Sequence, residues 1–256
     1  MFGLWEKKRL KVSCLSASET GLVRKDNQDS LFVDVAKTVF CVADGMGGGA
    51  EGATASRFVC EEVEKAVKGA PDFGSRMRAV DGAIAAANDR IRAYAKERDF
   101  KQMGSTVAIL LLDPSDNRRA AICHVGDSRI YRIRRLKAEL LTHDHTIGVQ
   151  LGDLTKGITA AGFKSRTNPL AHVLTRAIGS ADKVEGEWRK IDIESGDRFL
   201  ICSDGVHDVV SDARIGSIIF GSDGLAMASR NLTDEIVRGG APDNFSYVMV
   251  GFGGGQ

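Results

Sequence analysis

FCVADGMGGGAEG, from Phe40 to Gly52, is the stretch that decides the fold. An apolar run ends in a single carboxylate, Asp44, and glycines then occupy most of the following positions. Apolar, aromatic and β-branched residues favour a buried strand, and glycine allows a backbone to approach other groups closely. The stretch therefore predicts a strand that delivers one aspartate to a site lined by backbone.

Four other places repeat this arrangement of an aspartate beside an apolar run. Strands of one sheet system can bring such ends to a common rim, where the carboxylates would repel one another unless cations neutralised them. Ligation by oxygen alone selects hard ions such as Mg²⁺ and Mn²⁺. Each Asp-Gly pair is also a favoured turn, and composition alone does not decide between turns and a metal site. The five places are NQD (Asp29), VADG (Asp44, Gly45), HVGD (Asp127), CSDG (Asp204) and APDN (Asp243, Asn244).

Strand-like and helix-like segments alternate along the chain. Apolar residues recur every four positions from Ala53 to Lys68, and every three or four from Met77 to Ile91, which predicts two long antiparallel helices. Consecutive strands with short connections favour antiparallel pairing. Further helices are predicted in 206–220 and 224–239, and strands in 10–18, 29–44, 104–113, 118–127, 128–135, 138–144, 196–204 and 244–252.

The organisation of the chain indicates one domain over residues 1–256. The polar, weakly periodic segment 147–169 is interpreted as a flap-like surface excursion, in which Lys164 and Arg166 could meet acidic groups of a substrate. The glycine-rich residues 253–256 are expected to be a frayed tail.

Composition excludes several classes of function. A net charge of +1 with interspersed signs argues against nucleic-acid binding. The five cysteines show no CxxC spacing, which favours reduced thiols in a cytoplasmic protein over disulfides or a metal site. No segment approaches the roughly 20 apolar residues of a membrane span. We therefore expect a soluble protein that binds neither nucleic acid nor membrane.

Eight motifs in order resemble the metal-dependent Ser/Thr protein phosphatases of the 2C type, in their compact bacterial form. Singly they are weak, but together they cover nearly the whole chain. They are TGLVRKDNQDS (20–30), VADGMGGGAEG (42–52), MGSTV (103–107), HVGDSRIY (124–131), LTHDHT (141–146), LTRAIG (174–179), LICSDGVHD (200–208) and APDNFSYVMV (241–250).

The resemblance implies an α+β fold, a four-layer α/β/β/α sandwich of two mostly antiparallel sheets flanked by helix pairs. It implies two Mn²⁺ or Mg²⁺ ions, with Asp44 bridging them and Gly45 lending its carbonyl to one. Asp204 and Asp243 would complete the other ion's ligands, and Asp127 would share a third, weaker ion with Asp204. A metal-activated water would then hydrolyse the phosphate ester.

The resemblance also assigns residues around the metals. Arg24 matches the phosphate-binding arginine, and Asp29 a carboxylate near the ions. Gln28 stands where relatives often have Glu, so it is expected to orient water rather than bind metal, and Asn244 to support the site in the same indirect way. Met46 occupies the position of a histidine proposed as general acid in some relatives, and a thioether cannot donate a proton.

Alternatives remain for several of these residues. Asp127 could pair with Arg129 across a tight turn instead of binding metal. Arg24 could be a solvated charge beside Lys25. Four histidines are interpreted as structural, namely His124, His143, His145 and His207.

The implied function is hydrolysis of phosphoserine and phosphothreonine on proteins, reversing Ser/Thr kinase signalling, by a monomer. One alternative is a phosphatase dedicated to a single regulatory partner. A second is a catalytically weak relative that binds phosphoproteins, although such a relative would be expected to lack a metal aspartate. A phosphatase of small molecules, or a nuclease using two ions, is a third.

Overall fold

Two antiparallel sheets form the centre of the computed structural model, which describes residues 9–36, 38–155 and 169–253. The first sheet has the strand order β1-β11-β10-β7-β8, and the second the order β2-β3-β5-β6-β9, with β4 paired to β3. The strands are β1 Lys11–Glu19, β2 Asp29–Asp34, β3 Val39–Gly47, β4 Met103–Ser105, β5 Val107–Leu112, β6 Arg119–Val125, β7 Arg129–Arg134, β8 Lys137–Leu140, β9 Glu187–Asp192, β10 Arg198–Cys202 and β11 Phe245–Gly253.

The two sheets pack face to face, and β3 shows why its sequence is apolar throughout. Phe40 and Val42 point into the core between the sheets, against residues such as Phe199 of β10. Cys41 and Ala43 point the opposite way, into the core beneath the first helix pair. The sequence of a strand that is buried on both faces is a continuous apolar run rather than an alternation of apolar and polar residues.

A helix pair covers the second sheet. Helix α1 spans Ala50–Lys68 and α2 spans Phe73–Glu97, which begins with a capping box between Asp72 and Ser75. Phe58 packs edge-on against Tyr94, whereas Glu62, one turn further along α1, pairs with Arg90, one turn earlier in α2. The two helices are therefore antiparallel, as predicted.

A second pair covers the other sheet. Helix α5 (Asp212–Gly221) and helix α6 (Gly224–Arg238) bury apolar residues such as Ile219 and Leu232 against Leu200 of β10. The short helix α4, Asp204–His207, directly follows β10. The predicted four-layer sandwich is thus confirmed.

Three local features differ from what the sequence led us to expect. The segment expected to be a weakly periodic excursion begins with a helix, α3 at Ile147–Thr155, and ends in a 3-10 turn at Pro169–His172. Strand β9 was missed because its sequence, EWRKID, is largely charged and exposed. Gly253 pairs with Lys11 in β1 and so belongs to the sheet rather than to a frayed tail.

Parts of two predictions lie outside the described residues. These are the central part of the flap, 156–168, which includes Lys164 and Arg166, and the last three residues, 254–256. Within the described ranges, none of the helices has the length and apolar character that a membrane span requires.

Candidate metal centre

The predicted aspartates come together because strands from both sheets end at one rim. Asp29 and Asp44 are direct partners across the β2–β3 pair. Asp127 follows β6, and Asp204 follows β10 as the first residue of α4. A cleft of about 750 Å³ is lined by Asp44, Asp127 and Asp204, along with Met46 and Thr106. The structure therefore places three of the predicted carboxylates in one cleft, with Asp29 beside them.

Asp44 is held by hydrogen bonds to its backbone. Thr106 Oγ1 accepts from the Asp44 amide at 3.1 Å, and the Asp44 carbonyl accepts from the Thr106 amide at 2.8 Å and from Ser105 Oγ at 2.9 Å. None of these bonds uses the carboxylate. These hydrogen bonds fix the backbone of Asp44, and its carboxylate lines the cleft.

The glycines after Asp44 permit a contact between backbones. A Cβ on Gly45 would lie 2.0 Å from the carbonyl oxygen of Gly52 and 2.7 Å from that of Gln28. A Cβ on Gly52 would lie 1.9 Å from Oε1 of Gln28. The Gly45 amide donates to the Gln28 carbonyl at 3.1 Å. The loop can therefore reach the first turn of α1 only without side chains at these two positions. The side-chain amide of Gln28 lies against the first turn of α1.

The carboxylates raise one another's pKa. Burial is the largest cause of the raised pKa of Asp44, followed by the charges of Asp29, Asp204 and Asp127. Burial also raises the pKa of Asp127 well above its usual value, and the charge of Asp204 adds to it. Asp204 is shifted upward as well, first by burial and then by Asp208. Such a group is costly to keep charged unless cations neutralise it.

The need for a neutralising cation is clearest at Asp29. Its Oδ2 accepts from Ser203 Oγ at 2.8 Å, but its Oδ1 is buried without a hydrogen-bond partner. Burial outweighs the bonds from Ser203 and Ser246 and raises the pKa of Asp29 to about 7. A buried acceptor with no donor is unusual. Oxygen ligands, excess negative charge and this orphaned oxygen together fit one or more hard divalent cations.

Arg24 and Asp243 form an ion pair near the aspartate cluster. Nη2 of Arg24 lies 2.6 Å from Oδ2 of Asp243, and both side chains are partly exposed. This hydrogen bond and the charge of Asp243 raise the pKa of Arg24, with smaller contributions from Asp204 and Asp44. Arg24 is therefore not a freely solvated charge beside Lys25. It lies at the margin of the aspartate cluster.

Asn244 fixes the loop that carries Arg24. Its Oδ1 accepts from the Gln28 amide at 2.9 Å, while its Nδ2 donates to the carbonyls of Thr20 and Asp26 at 2.8 and 2.9 Å. One side chain thus satisfies three backbone groups of the segment before β2. Asn244 accordingly shapes the site without facing the cleft.

The structure argues against a turn role for Asp127. Arg129 forms a bidentate pair with Asp144, with Nη2 and Oδ2 2.6 Å apart, rather than pairing with Asp127. Instead, the backbone carbonyl of Asp127 interacts with His207 Nε2 at 3.1 Å. The Asp127 carboxylate is left to the cleft, as the metal hypothesis requires.

One other group in the described chain has metal-like composition: His124, His145 and Glu187, whose potential ligand atoms lie within 4.8 Å of one another. The Gly126 amide donates to Nδ1 of His145 at 3.1 Å, so the ring proton lies on Nε2, 3.2 Å from Glu187. A protonated Nε2 cannot bind a cation. This geometry favours the structural interpretation of His145.

Two features of the site were missed from the sequence. One is the hydrogen bond that Ser203 donates to Asp29. The position of Ser203 immediately before Asp204 is the signal that could have identified it. Asp208 lies near two histidines: His172 Nδ1 at 3.2 Å and His207 Nδ1 at 3.4 Å. Burial raises the pKa of Asp208, but the two histidines outweigh it and hold the pKa below its usual value. His172 comes from the end of the flap-like segment, and no sequence pattern marked it.

The pKa of Asp29 predicts a pH-dependent stability in protein freed of divalent cations by a chelator. In the unfolded chain the carboxyl has its ordinary pKa of 3.8, and in the folded protein its pKa is about 7. Wild type should therefore lose stability through this group as the pH rises from about 4 to about 7. Asp29→Asn should lack that loss, so its advantage over wild type in the free energy of unfolding should grow to a few kcal/mol. Urea unfolding of both proteins from pH 4 to 8 checks this, and a difference that stays constant with pH would contradict it.

Comparison with known proteins agrees with this geometry. Residues 16–235 match the family model described as Protein phosphatase 2C. The serine/threonine protein phosphatase PstP of Mycobacterium tuberculosis is 32% identical over 234 residues, which make up 91% of this chain and 43% of PstP. This chain thus spans less than half the length of that relative. Protein phosphatase PhpP of Streptococcus pneumoniae is 28% identical, with 94% of this chain and 97% of PhpP covered.

A solved structure shows the same likeness in three dimensions. The catalytic domain of the serine/threonine protein phosphatase PstP in complex with two manganese ions superposes with a TM-score of 0.81 at 31% identity. The match covers 95% of this chain and 99% of that one. The resemblance of the eight motifs is thereby confirmed. The chain belongs to the protein phosphatase 2C family.

Proposed function

We propose that the protein hydrolyses phosphoserine and phosphothreonine esters on proteins with the help of Mn²⁺ or Mg²⁺. The observation that carries the proposal is the convergence of buried and half-buried aspartates from four separate strands, with an arginine near them. Membership of the family and the manganese-bound structure of PstP support it. The reaction would reverse the action of a Ser/Thr kinase.

The aspartates are proposed to hold two ions and a third, weaker one. Asp44 would bridge the pair with help from the Gly45 carbonyl, Asp204 and Asp243 would complete it, and Asp127 would share the third ion with Asp204. Bound divalent ions supply an acidified water and neutralise charge on the phosphate. Asp29, which pairs with Asp44 across β2 and β3, would assist through its orphaned oxygen.

Arg24 is proposed to bind the phosphate. A guanidinium presents two parallel N–H groups to two phosphate oxygens and stabilises negative charge. Its present partner, Asp243, lies at the same edge, so a phosphate placed between Arg24 and the cleft would exchange one anionic partner for another. Asn244 and Gln28 would act indirectly, because their contacts hold the loop that carries Arg24.

The rival functions have less support. A phosphoprotein-binding relative without catalysis would not need Asp44, Asp204 and Asp243, and all three are present. A phosphatase of a single regulatory partner would use the same centre and differs only in its substrate range. We further propose that the protein acts as a cytoplasmic monomer on phosphorylated proteins, and not on nucleic acid or at membranes.

The test of this function is a comparison of substrates under one set of conditions. Phosphoserine and phosphothreonine peptides, p-nitrophenyl phosphate and a single-stranded oligonucleotide would be incubated with purified protein and MnCl₂, with and without EDTA. We expect Mn²⁺-dependent release of phosphate from the peptides and the nitrophenyl ester, and an intact oligonucleotide. Cleavage of the oligonucleotide, or no phosphate release from peptides, would refute the proposal.

A further inference from the structure

The cleft is bordered by a histidine from the flap side. His172 ends the 3-10 turn Pro169–His172, where the chain returns from the flap-like segment. Its side chain is 41% exposed and lines the same cleft as Asp44, Asp127 and Asp204. An accessible imidazole therefore shares the space in which a phosphate ester would react.

Asp208 orients this imidazole. Its Oδ2 lies 3.2 Å from Nδ1 of His172. A carboxylate at one ring nitrogen fixes the orientation of the ring, and an imidazolium held in this way has its second N–H on the other nitrogen. With Nδ1 facing Asp208, the proton that His172 can pass to a substrate is the one on Nε2. This pairing of histidine and carboxylate is a common arrangement for an acid–base residue.

The reaction needs such a donor. Hydrolysis of a phosphoserine ester expels a seryl oxygen that is strongly basic, so a proton delivered to it lowers the barrier. Met46 lines the same cleft but has no proton to give. Among the residues that line the described part of the cleft, the one imidazole is that of His172, and Asp208 is its carboxylate partner.

We propose that His172 is a catalytic residue, the general acid that protonates the leaving oxygen; this inference rests on the proposed phosphatase function. The P–O bond to the seryl or threonyl oxygen breaks, its electron pair stays on that oxygen, and the Nε2 proton of His172 joins it to form the hydroxyl. A water oxygen forms the new bond to phosphorus. One proton of that water returns through solvent to the imidazole, and inorganic phosphate is released.

The role is tested by the dependence of rate on the leaving group. A nitrophenolate leaves readily without a proton, whereas a seryl oxygen does not. For His172→Ala and His172→Gln we expect kcat on a phosphoserine peptide to fall by about 100-fold, within the range typical of general acid catalysis. The fall on p-nitrophenyl phosphate should be only a few-fold. A series of aryl phosphates should show a steeper dependence on leaving-group basicity in the variants than in wild type.

His143 offers a matched control. It pairs with Asp153 in α3 at 2.7 Å and is 53% exposed, but it is not among the described residues that line the cleft. His143→Ala should keep the wild-type rate on both substrates. Equal losses on both substrates in the His172 variants, or no loss at all, would overturn the general-acid role while leaving the phosphatase proposal intact. A wild-type protein inactive on every phosphate ester would instead overturn the proposed function itself.

Discussion

Asp44→Asn should lower Mn²⁺-dependent hydrolysis of a phosphopeptide by roughly 1,000-fold or more, because it removes the charge proposed to hold two catalytic ions together. The fold should survive, since the hydrogen bonds at this position use the backbone of Asp44 and the side chains of Thr106 and Ser105. Steady-state kinetics and calorimetric titration with MnCl₂ would measure the two losses side by side.

The same substitution should stabilise the protein in EDTA. Burial and three neighbouring carboxylates raise the pKa of Asp44, so its ionised form is unfavourable near neutral pH when no cation is bound. We expect a higher melting temperature than wild type in EDTA, and a smaller increase on adding Mn²⁺. Asp89→Asn, on the exposed face of α2, is the matched control and should change neither property. Turnover of Asp44→Asn at the wild-type rate would exclude the bridging role.

Gly45→Ala should produce the second large effect, by a different route. The added methyl group would lie 2.0 Å from one backbone oxygen and 2.7 Å from another, so the loop or the start of α1 must move. Overpacking against backbone costs on the order of 3 kcal/mol. We expect a loss of that size in the free energy of unfolding, together with weaker Mn²⁺ binding, because Asp44 is the adjacent residue.

Gly82→Ala separates this effect from the general cost of replacing glycine. Gly82 lies within α2, and in the described part of the chain nothing beyond the adjacent helix backbone lies within 4 Å of the position where its Cβ would be. Alanine there should stabilise the helix by about 0.5–1 kcal/mol. Urea unfolding in EDTA would compare the two variants. A Gly45→Ala protein as stable as wild type would mean that the close backbone approach is not required.

Strand ends could be read from the sequence because they depend on local chemistry. An apolar run followed by adjacent Asp and Gly residues indicates both a buried strand and its end. Asp127 and Asp204 follow β6 and β10 as that pattern predicted, whereas β3 continues past Asp44 to Gly47. The two long helices were also predicted from the sequence, since the spacing of their apolar residues matches the face that each helix buries. Their N-terminal boundaries were off by several residues. The assignment of residues 1–256 to one domain stays a prediction, as do the individual metal ligands.

Features that depend on distant partners could not be read in this way. Nothing near Asn244 reveals that its side chain ties down the loop before β2, because its partners Thr20 and Gln28 are more than 200 positions away. Likewise, His172 could not be identified from the sequence, because its proposed role depends on its contact with Asp208 and its place in the cleft. Strand β9 is largely charged and holds its place by pairing with β6, a contact that local periodicity does not encode.

The pairing of β1 with β11 has a consequence for biosynthesis. The strand from the beginning of the described chain adds to the one from its end, and the contact between Gln28 and Asn244 joins residues 216 positions apart. Contacts of such long range form late in folding. A nascent chain on the ribosome would therefore hold Arg24 and Asp44 long before Asp243 and Asn244 emerge. The proposed phosphatase activity would arise only once translation has passed β11, and a product terminated before β11 would not acquire it.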